Sequence, residues 1–211
     1  MTSNLLRKTF PVGRLGCNCS ILADEASRQA LVVDPGDEVD KILRELAALQ
    51  LTVVGIVHTH AHIDHVGGLA ELSRVTGAPT YLHNDDRFLY DMLPIQAQML
   101  GFPEPQKGTI NHNLVDGHTI PFGAFEMGII HTPGHTPGSV CFSCAEVCFS
   151  GDTLFRGGIG RTDLWGGDSN AIVKSIRERL YTLNGAVEVV PGHGPLTTID
   201  RERLSNSHVR A

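Results

Sequence analysis

Three observations predict an α/β fold with helices covering sheets. Short apolar, β-branched runs alternate along the whole chain with runs of helical spacing. No Pro/Gly-rich linker breaks that alternation, so the 211 residues read as one domain spanning 1–211. The segment Gly55–His62, GIVHTHAH, is echoed by Gly128–His135, GIIHTPGH, with five of eight positions identical. Each copy is a β-branched strand running into a His-bearing loop. Two such units packed face to face would bring both loops to one edge of a two-sheet core.

The elements follow in order. Ser20–Ala23 and Gln29–Val33 read as strands joined by a turn, and the Asp34, Pro35, Gly36 run ends the second. Val39–Leu49 is helical, with Val39, Ile42, Leu43, Leu46 and Leu49 on one stripe. Thr52–Val57 is a buried strand. Leu69–Val75 is a helix closed by Gly77 and Pro79, and Thr80–Leu82 is a short strand. Arg87–Leu100 is helical with a kink or break at Pro94. Residues 104–113 have the composition of a loop. Strands are expected at Thr119–Pro121, Phe125–Ile130, Val140–Ser143, Val147–Phe149 and Val187–Val190. Asn170–Leu183 is the best helix of the second half, on Ile172, Val173, Ile176 and Leu180. The polar tail after Thr197 suits a short helix and then coil.

Composition bounds the partners. Hydrophobic residues make up 41% and charged residues 19%, an ordinary globular balance. Seventeen Lys and Arg against 23 Asp and Glu give a formal charge of -6, and no dense basic tract offers a surface for nucleic acid. No run approaches the length of a membrane span, and the N-terminus lacks the apolar stretch of a secretory signal. The five cysteines (17, 19, 141, 144 and 148) do not form paired CxxC knuckles, so buried thiols in a reducing, cytoplasmic compartment are expected. Alternation puts Cys17 and Cys19 on one face of a strand.

The chemistry gathers in the histidines. Four of the 11 lie in His58–His65, HTHAHIDH, directly after an apolar strand, with Asp64 among them. Imidazole and carboxylate are the ligands of zinc and other borderline metals. His60 and His62 point the same way on an extended backbone, and Asp64 with His65 reach a second point, so one loop can feed two metals. A helix cap or an exposed patch explains such a cluster poorly. Three further segments repeat one design, an apolar strand entering a Gly/Pro-rich turn that carries one ligand-type residue: His135 in TPGHTPG, Asp152 in FSGDTL and His193 in VPGHGP. His58 and His131, partners in the echo, are expected to support the site from behind its ligands. His83, His112, His118 and His208 suit surface or structural roles, with His83, at the end of a strand, also a weaker candidate to line the cleft.

The run THAHIDH, Thr59 to His65, with His135, Asp152 and His193 downstream, resembles the metallo-β-lactamase fold superfamily, and more narrowly the short bacterial glyoxalase II (hydroxyacylglutathione hydrolase) group. The similarity spans essentially the whole chain. It implies an αββα sandwich of two mixed sheets flanked by helices, with metals in a groove at one edge. It also implies that His60, His62 and His135 hold one metal, that Asp64, His65 and His193 hold a second, and that Asp152 bridges them. Two divalent ions are implied, zinc first, with iron or manganese as alternatives.

The resemblance also implies hydrolysis of a small-molecule glutathione thioester, with Asp64 orienting the nucleophile and accepting its proton. The GDTLF string from Gly151 and the stretch GGIGRTD from Gly157 to Asp163 fit that group. Full-length glyoxalase II adds a helical glutathione-binding domain, and only 18 residues follow His193, so that domain is expected to be absent. In place of the family's glutathione-contacting Lys and Tyr stand Arg161 and Asp163. Arg161 is the substrate-binding candidate, and Asp163 would repel a carboxylate unless paired with it. Persulfide dioxygenases resemble the chain in the same residues, and there His60, His135 and Asp152 would hold one Fe(II). Lactones and other thioesters are further substrate classes, and a catalytically silent metal-binding module would show eroded ligands, which this chain does not.

Overall fold

The computed structural model describes residues 4–210 and places two six-stranded sheets at the centre of the molecule. The first holds β1 (Leu5–Val12), β2 (Cys17–Asp24), β3 (Gln29–Val33), β4 (Thr52–Val57), β5 (Thr80–Leu82) and β6 (His112–Asn113), in that spatial order. Its first three strands are antiparallel and β3 to β6 are parallel. The second holds β7 (Thr119–Phe122), β8 (Phe125–His131), β9 (Val140–Cys144) and β10 (Val147–Gly151). After a separate ribbon of β11 (Leu154–Phe155) and β12 (Gly158–Ile159), it is completed by β13 (Glu188–Pro191) and β14 (Thr197–Thr198). The helices are α1 (Val39–Ala48), α2 (Ile63–Val66), α3 (Leu69–Thr76), α4 (Arg87–Asp91), α5 (Leu93–Leu100), α6 (Ser169–Ser175) and α7 (Ile199–Ser205).

Strand alternation sorts the apolar side chains into layers. Leu22, Leu31, Val33 and Val57 of the first sheet meet Ile129, Phe142, Phe149 and Val190 of the second. The outer face of the first sheet puts Cys17, Cys19, Ile21 and Val32 against Ile42 and Leu46 of α1 and Leu72 of α3. The outer face of the second puts Cys141, Cys148 and Val189 against Ile172 of α6, Ile176 and Leu180 beyond it, and Ile199 of α7. The result is the αββα sandwich of two mixed sheets. All five cysteines are buried free thiols within β2, β9 and β10.

Several expectations need correction. The helical segment 87–100 is broken as expected, but at Met92 rather than at Pro94, which sits in the first turn of α5, where a missing N–H costs nothing. Asp168 caps α6 by accepting hydrogen bonds from the Asn170 and Ala171 N–H groups, and a π-helical stretch, Ile176–Leu180, extends the helix. β1 has no counterpart in the sequence reading, because its mixed polar and apolar pattern lacks turn signals and its side chains are mostly half-buried. The echoed segments do not occupy equivalent strands. β4 lies between two parallel neighbours and β8 between two antiparallel ones. The topological counterpart of the β3/β4 parallel pair is β10/β13. The echo does bring both loops to one edge. β8, β10 and β13 run in the same sense, and their C-terminal ends, like that of β4, open onto one side of the sandwich.

Candidate metal centre

Each predicted ligand follows the C-terminal end of a strand. His60, His62, Asp64 and His65 follow β4, His135 follows β8, Asp152 follows β10 and His193 follows β13. These seven residues converge into two groups. Nε2 of His60, Nδ1 of His62 and Nε2 of His135 lie 3.1, 3.2 and 2.9 Å from one another. Ligands at the zinc–nitrogen distance subtend a tetrahedral edge of about 3.3 Å, so the spacing is that of a metal's first coordination sphere. In the second group, Nε2 of His193 lies 3.3 Å from Nε2 of His65 and 3.1 Å from Oδ2 of Asp64. Asp152 joins the groups: its Oδ1 is 3.5 Å from His65 Nε2, and its Oδ2 is 3.6 Å from His135 Nε2 and 3.7 Å from His193 Nε2.

Polar atoms left without partners support the fit. Oδ1 of Asp152 is buried with no hydrogen bond to a described residue. Leaving such an atom unpaired is costly unless a cation satisfies it. Nε2 of His62 is likewise buried with no hydrogen bond to a described residue, while the opposite ring nitrogens of the other four histidines are fixed from behind. Nδ1 of His65 donates to Asp34 at 2.9 Å, that of His135 to the Arg161 carbonyl at 2.7 Å, and that of His193 to the Leu15 carbonyl at 3.1 Å. Nδ1 of His60 meets the Thr59 hydroxyl at 3.1 Å. Rings held this way keep the proton on Nδ1 and aim the Nε2 lone pair into the cluster.

The electrostatics point the same way. Burial and neighbouring rings push His60 below its ordinary value, and burial with His135 pushes His62 down to about 3. Both are therefore neutral donors at pH 7. Burial pulls Asp64 up, but His65 and His193 outweigh it and hold the carboxylate below its usual range. His65 is pulled the other way: against burial, Cys17 and the carboxylates of Asp64, Asp152 and Asp34 raise it. A field that favours an imidazolium there favours a metal cation. The two groups form a dinuclear site for divalent metal ions.

Glycine is required where backbone passes close to these groups. A Cβ on Gly192 would lie 2.1 Å from Asp152 Oδ1 and 2.7 Å from His65 Cε1. A Cβ on Gly36 would lie 1.5 Å from the Asp64 carbonyl oxygen. Both positions let loops close on the site in a way no side chain permits.

The remaining candidates sit outside the two groups. His58 is buried, donates from Nδ1 to the His65 carbonyl at 3.2 Å and pins the loop. Nε2 of His131 donates to the Pro137 carbonyl at 2.9 Å. His83 does not line the clefts beside the metal groups: it stacks on His131, ring centroids 4.3 Å apart. Arg161 lines the cleft over the ligands, but its Nε and Nη2 donate to the Asp163 carboxylate at 2.7 and 2.8 Å. Asp163 is therefore paired rather than a bare repulsive charge.

Three buried residues escaped the sequence reading. Asp34 accepts from the Thr59 N–H at 2.7 Å and the Thr59 hydroxyl at 2.6 Å besides holding His65. Asp86 accepts from the Ala61 N–H, the Thr136 hydroxyl and the Gly138 N–H, tying the loop of His60 and His62 to the loop of His135. Gln96 accepts from the Ile63 N–H and donates to the Ala61 carbonyl. Asp34 carried a readable signal: it is a ligand-type residue in a Pro/Gly turn after an apolar strand, the design that singled out Asp152. Asp86 and Gln96 carried none: Asp86 lies in the polar run His83–Arg87 and Gln96 in a helix that also holds Gln98, so neither stands out from its polar neighbours.

Comparison with known proteins agrees with this geometry. A family model described as the metallo-beta-lactamase superfamily matches residues 12–193. The chain is 38% identical over 206 residues to the hydroxyacylglutathione hydrolase GloC of Haemophilus influenzae, covering 93% of this chain and 94% of that protein. Among solved structures, the B3 metallo-beta-lactamase BLEG-1 superposes with a TM-score of 0.91 at 34% identity, covering 98% of this chain and all 100% of the other. TTHA1623 in a di-iron-bound form superposes with a TM-score of 0.85 at 37% identity, covering 94% and 98%. The chain belongs to the metallo-beta-lactamase superfamily.

Proposed function

We propose that the chain is a thioester hydrolase converting S-(2-hydroxyacyl)glutathiones, such as S-D-lactoylglutathione, to glutathione and a 2-hydroxy acid. The observation that carries this reading is the pair of ligand groups sharing Asp152 beneath an open cleft. Similarity to GloC favours the glutathione thioester among substrates of this chemistry. His60, His62 and His135 would hold one cation and Asp64, His65 and His193 the other, with Asp152 placed to serve both.

When bound, the divalent ions, zinc first among them, lower the pKa of an attacking water and polarise the thioester carbonyl. The rest falls to the chain's own groups. Asp64, held ionised at neutral pH, accepts a hydrogen bond from that water and orients it. The Nδ1 acceptors behind His60, His65, His135 and His193 keep the site preorganised, so no ring has to turn during the reaction. Arg161, at the cleft wall, donates its remaining N–H groups to a substrate oxygen. The water oxygen adds to the carbonyl carbon, the C–S bond breaks, and the thiolate leaves with the electron pair. A thiol with a pKa of about 8.5 leaves without a general acid, so the buried cysteines have no part to play.

The test is to purify the protein, measure its metals per chain, and follow loss of S-D-lactoylglutathione by ultraviolet absorbance. Turnover on the order of 10² per second with two metals bound is expected. No turnover in a fully metallated sample would overturn the reading. Oxygen uptake on glutathione persulfide with one iron per chain would replace it with the dioxygenase.

A further inference from the structure

The short helix α7 is inverted relative to an ordinary surface helix. It buries Glu202 completely and exposes 86% of Leu204. Glutamate is among the residues least often fully buried. Ile199 and Glu202 of α7, and Asn206 that ends it, share the inward face at helical spacings of three and four. An apolar side chain at 202 would serve packing at least as well, so the carboxylate is there for what it binds.

It binds the β11–β12 ribbon. Oε2 of Glu202 accepts from the Gly157 N–H at 2.7 Å and from Nδ2 of Asn206 at 3.0 Å. Oε1 accepts from the Thr197 hydroxyl and stands 3.8 Å from Nε of Arg201. Nδ2 of Asn206 also donates to the Gly158 carbonyl at 3.0 Å. The turn of the ribbon is thus gripped by both a donor and an acceptor from one helix. β11 and β12 pair only as Leu154 with Ile159 and Phe155 with Gly158, and a two-stranded ribbon of that length does not hold its shape unaided.

The ribbon and the residues leaving it touch the metal centre at three points. The Phe155 ring packs edge-on to His193, centroids 6.5 Å apart. Gly160 passes so close to the Asp152 main chain that a Cβ there would lie 1.8 Å from its carbonyl oxygen. One residue on, the Arg161 carbonyl accepts from Nδ1 of His135 at 2.7 Å. Each metal group, and the carboxylate between them, therefore has a ligand residue backed from this side.

We propose that Glu202, assisted by Asn206, is a positioning residue for the metal centre, acting through the ribbon rather than on any ligand. It fixes where the ribbon sits against the ligand loops, and so sets the Arg161 carbonyl behind His135 and the Phe155 ring beside His193. The proposal rests on the two ligand groups and not on the choice of substrate.

The test uses Glu202→Leu, which fills the space but accepts no hydrogen bond; Glu202→Gln, which keeps an acceptor for Gly157 and can turn its NH2 to the Thr197 oxygen; and Asn206→Ala, each in the full chain. Amide hydrogen exchange and zinc affinity by chelator competition are measured well below the unfolding temperature. In Glu202→Leu, the Gly157 amide and those of β11 and β12 are expected to exchange at least about tenfold faster, while amides of β9 and β10 keep wild-type rates. Zinc affinity should fall about tenfold, the lower end of the cost of losing a partner behind a ligand. Glu202→Gln should stay within about threefold of wild type in both measurements. Asn206→Ala should move both by about threefold in the direction of Glu202→Leu, and it carries the test if the leucine variant does not fold. Wild-type zinc affinity in the variants, whether or not the ribbon is freed, would overturn the proposal. So would faster exchange throughout β9 and β10, the mark of a role in stability alone, or a glutamine variant as weak in zinc as the leucine one.

Discussion

The carboxylate of Asp34 accepts a hydrogen bond from Nδ1 of His65 at 2.9 Å. The same carboxylate takes two hydrogen bonds from Thr59, whose hydroxyl in turn meets Nδ1 of His60. One buried group thus sets a ring in each half of the site. Asp34→Ala is expected to weaken metal binding by about 10- to 100-fold, the usual cost of losing a partner behind a ligand. Chelator competition against a graded metal titration reads this directly, with the site of Asp64, His65 and His193 emptying first. Affinities equal to wild type would mean that His65 orients itself without help.

Asp152 is the carboxylate within reach of a histidine in each group. Asp152→Ala is expected to drop the bound metal below one equivalent per chain and to abolish thioester hydrolysis. Two equivalents with normal turnover would remove it from the bridge.

Much of this site was legible because the chemistry is local. His60, His62, Asp64 and His65 are adjacent in sequence, and the turns of His135, Asp152 and His193 repeat one construction. The αββα layering was legible in outline, since β3, β4 and β5 are short apolar runs between turn residues. What escaped is long-range. Asp86 contacts Thr136, 50 residues away, and Gly138, 52 away, and no periodicity announces such contacts. The internal echo misled about strand equivalence for a related reason. A shared Gly-Ile-x-His-Thr string records a common local need, a β-branched strand entering a ligand loop, and not the pairing partners of β4 and β8.

Asp86 makes a separate prediction for stability. Burial pushes its carboxyl up to about 6, and it still accepts from two N–H groups and a hydroxyl joining the two ligand loops. Asp86→Ala leaves the Ala61 and Gly138 N–H groups without that acceptor, at a cost of about 1–3 kcal/mol each. A loss of about 3 kcal/mol in denaturant unfolding is expected, together with weaker metal binding. A loss below about 0.5 kcal/mol would show that water replaces the carboxylate.

His58 makes the fold sensitive to acid. Burial pushes it down to about 4 from an ordinary 6.5, so between those values the unfolded chain binds a proton that the folded chain does not. Its contribution is fully present above about pH 6.5 and is lost as pH falls toward 4. At full effect one proton corresponds to about 1.4 kcal/mol per pH unit. His58→Gln removes that proton while His60 and His62 titrate alike in both proteins. Between pH 6.5 and 4.5 the metal-free variant is expected to lose less stability than wild type. Parallel pH profiles would show that His58 takes up its proton without unfolding.

Arg161 acts on the site through two different groups. Its carbonyl oxygen accepts from Nδ1 of His135, so the main chain orients a ligand ring. Its guanidinium pairs with Asp163 at the surface, 61% and 68% of the two side chains being exposed. An exposed pair of this kind exchanges readily with another anion or acceptor. Arg161→Ala keeps the carbonyl, so metal content and kcat should stay near wild type while KM for the thioester rises a few-fold. Asp163→Ala frees the guanidinium and should move KM the opposite way. Loss of metal in Arg161→Ala would mean that the Arg161–Asp163 pair holds the loop itself in place. An unchanged KM in both variants would remove the side chain from the substrate's path and leave residue 161 a main-chain support for His135.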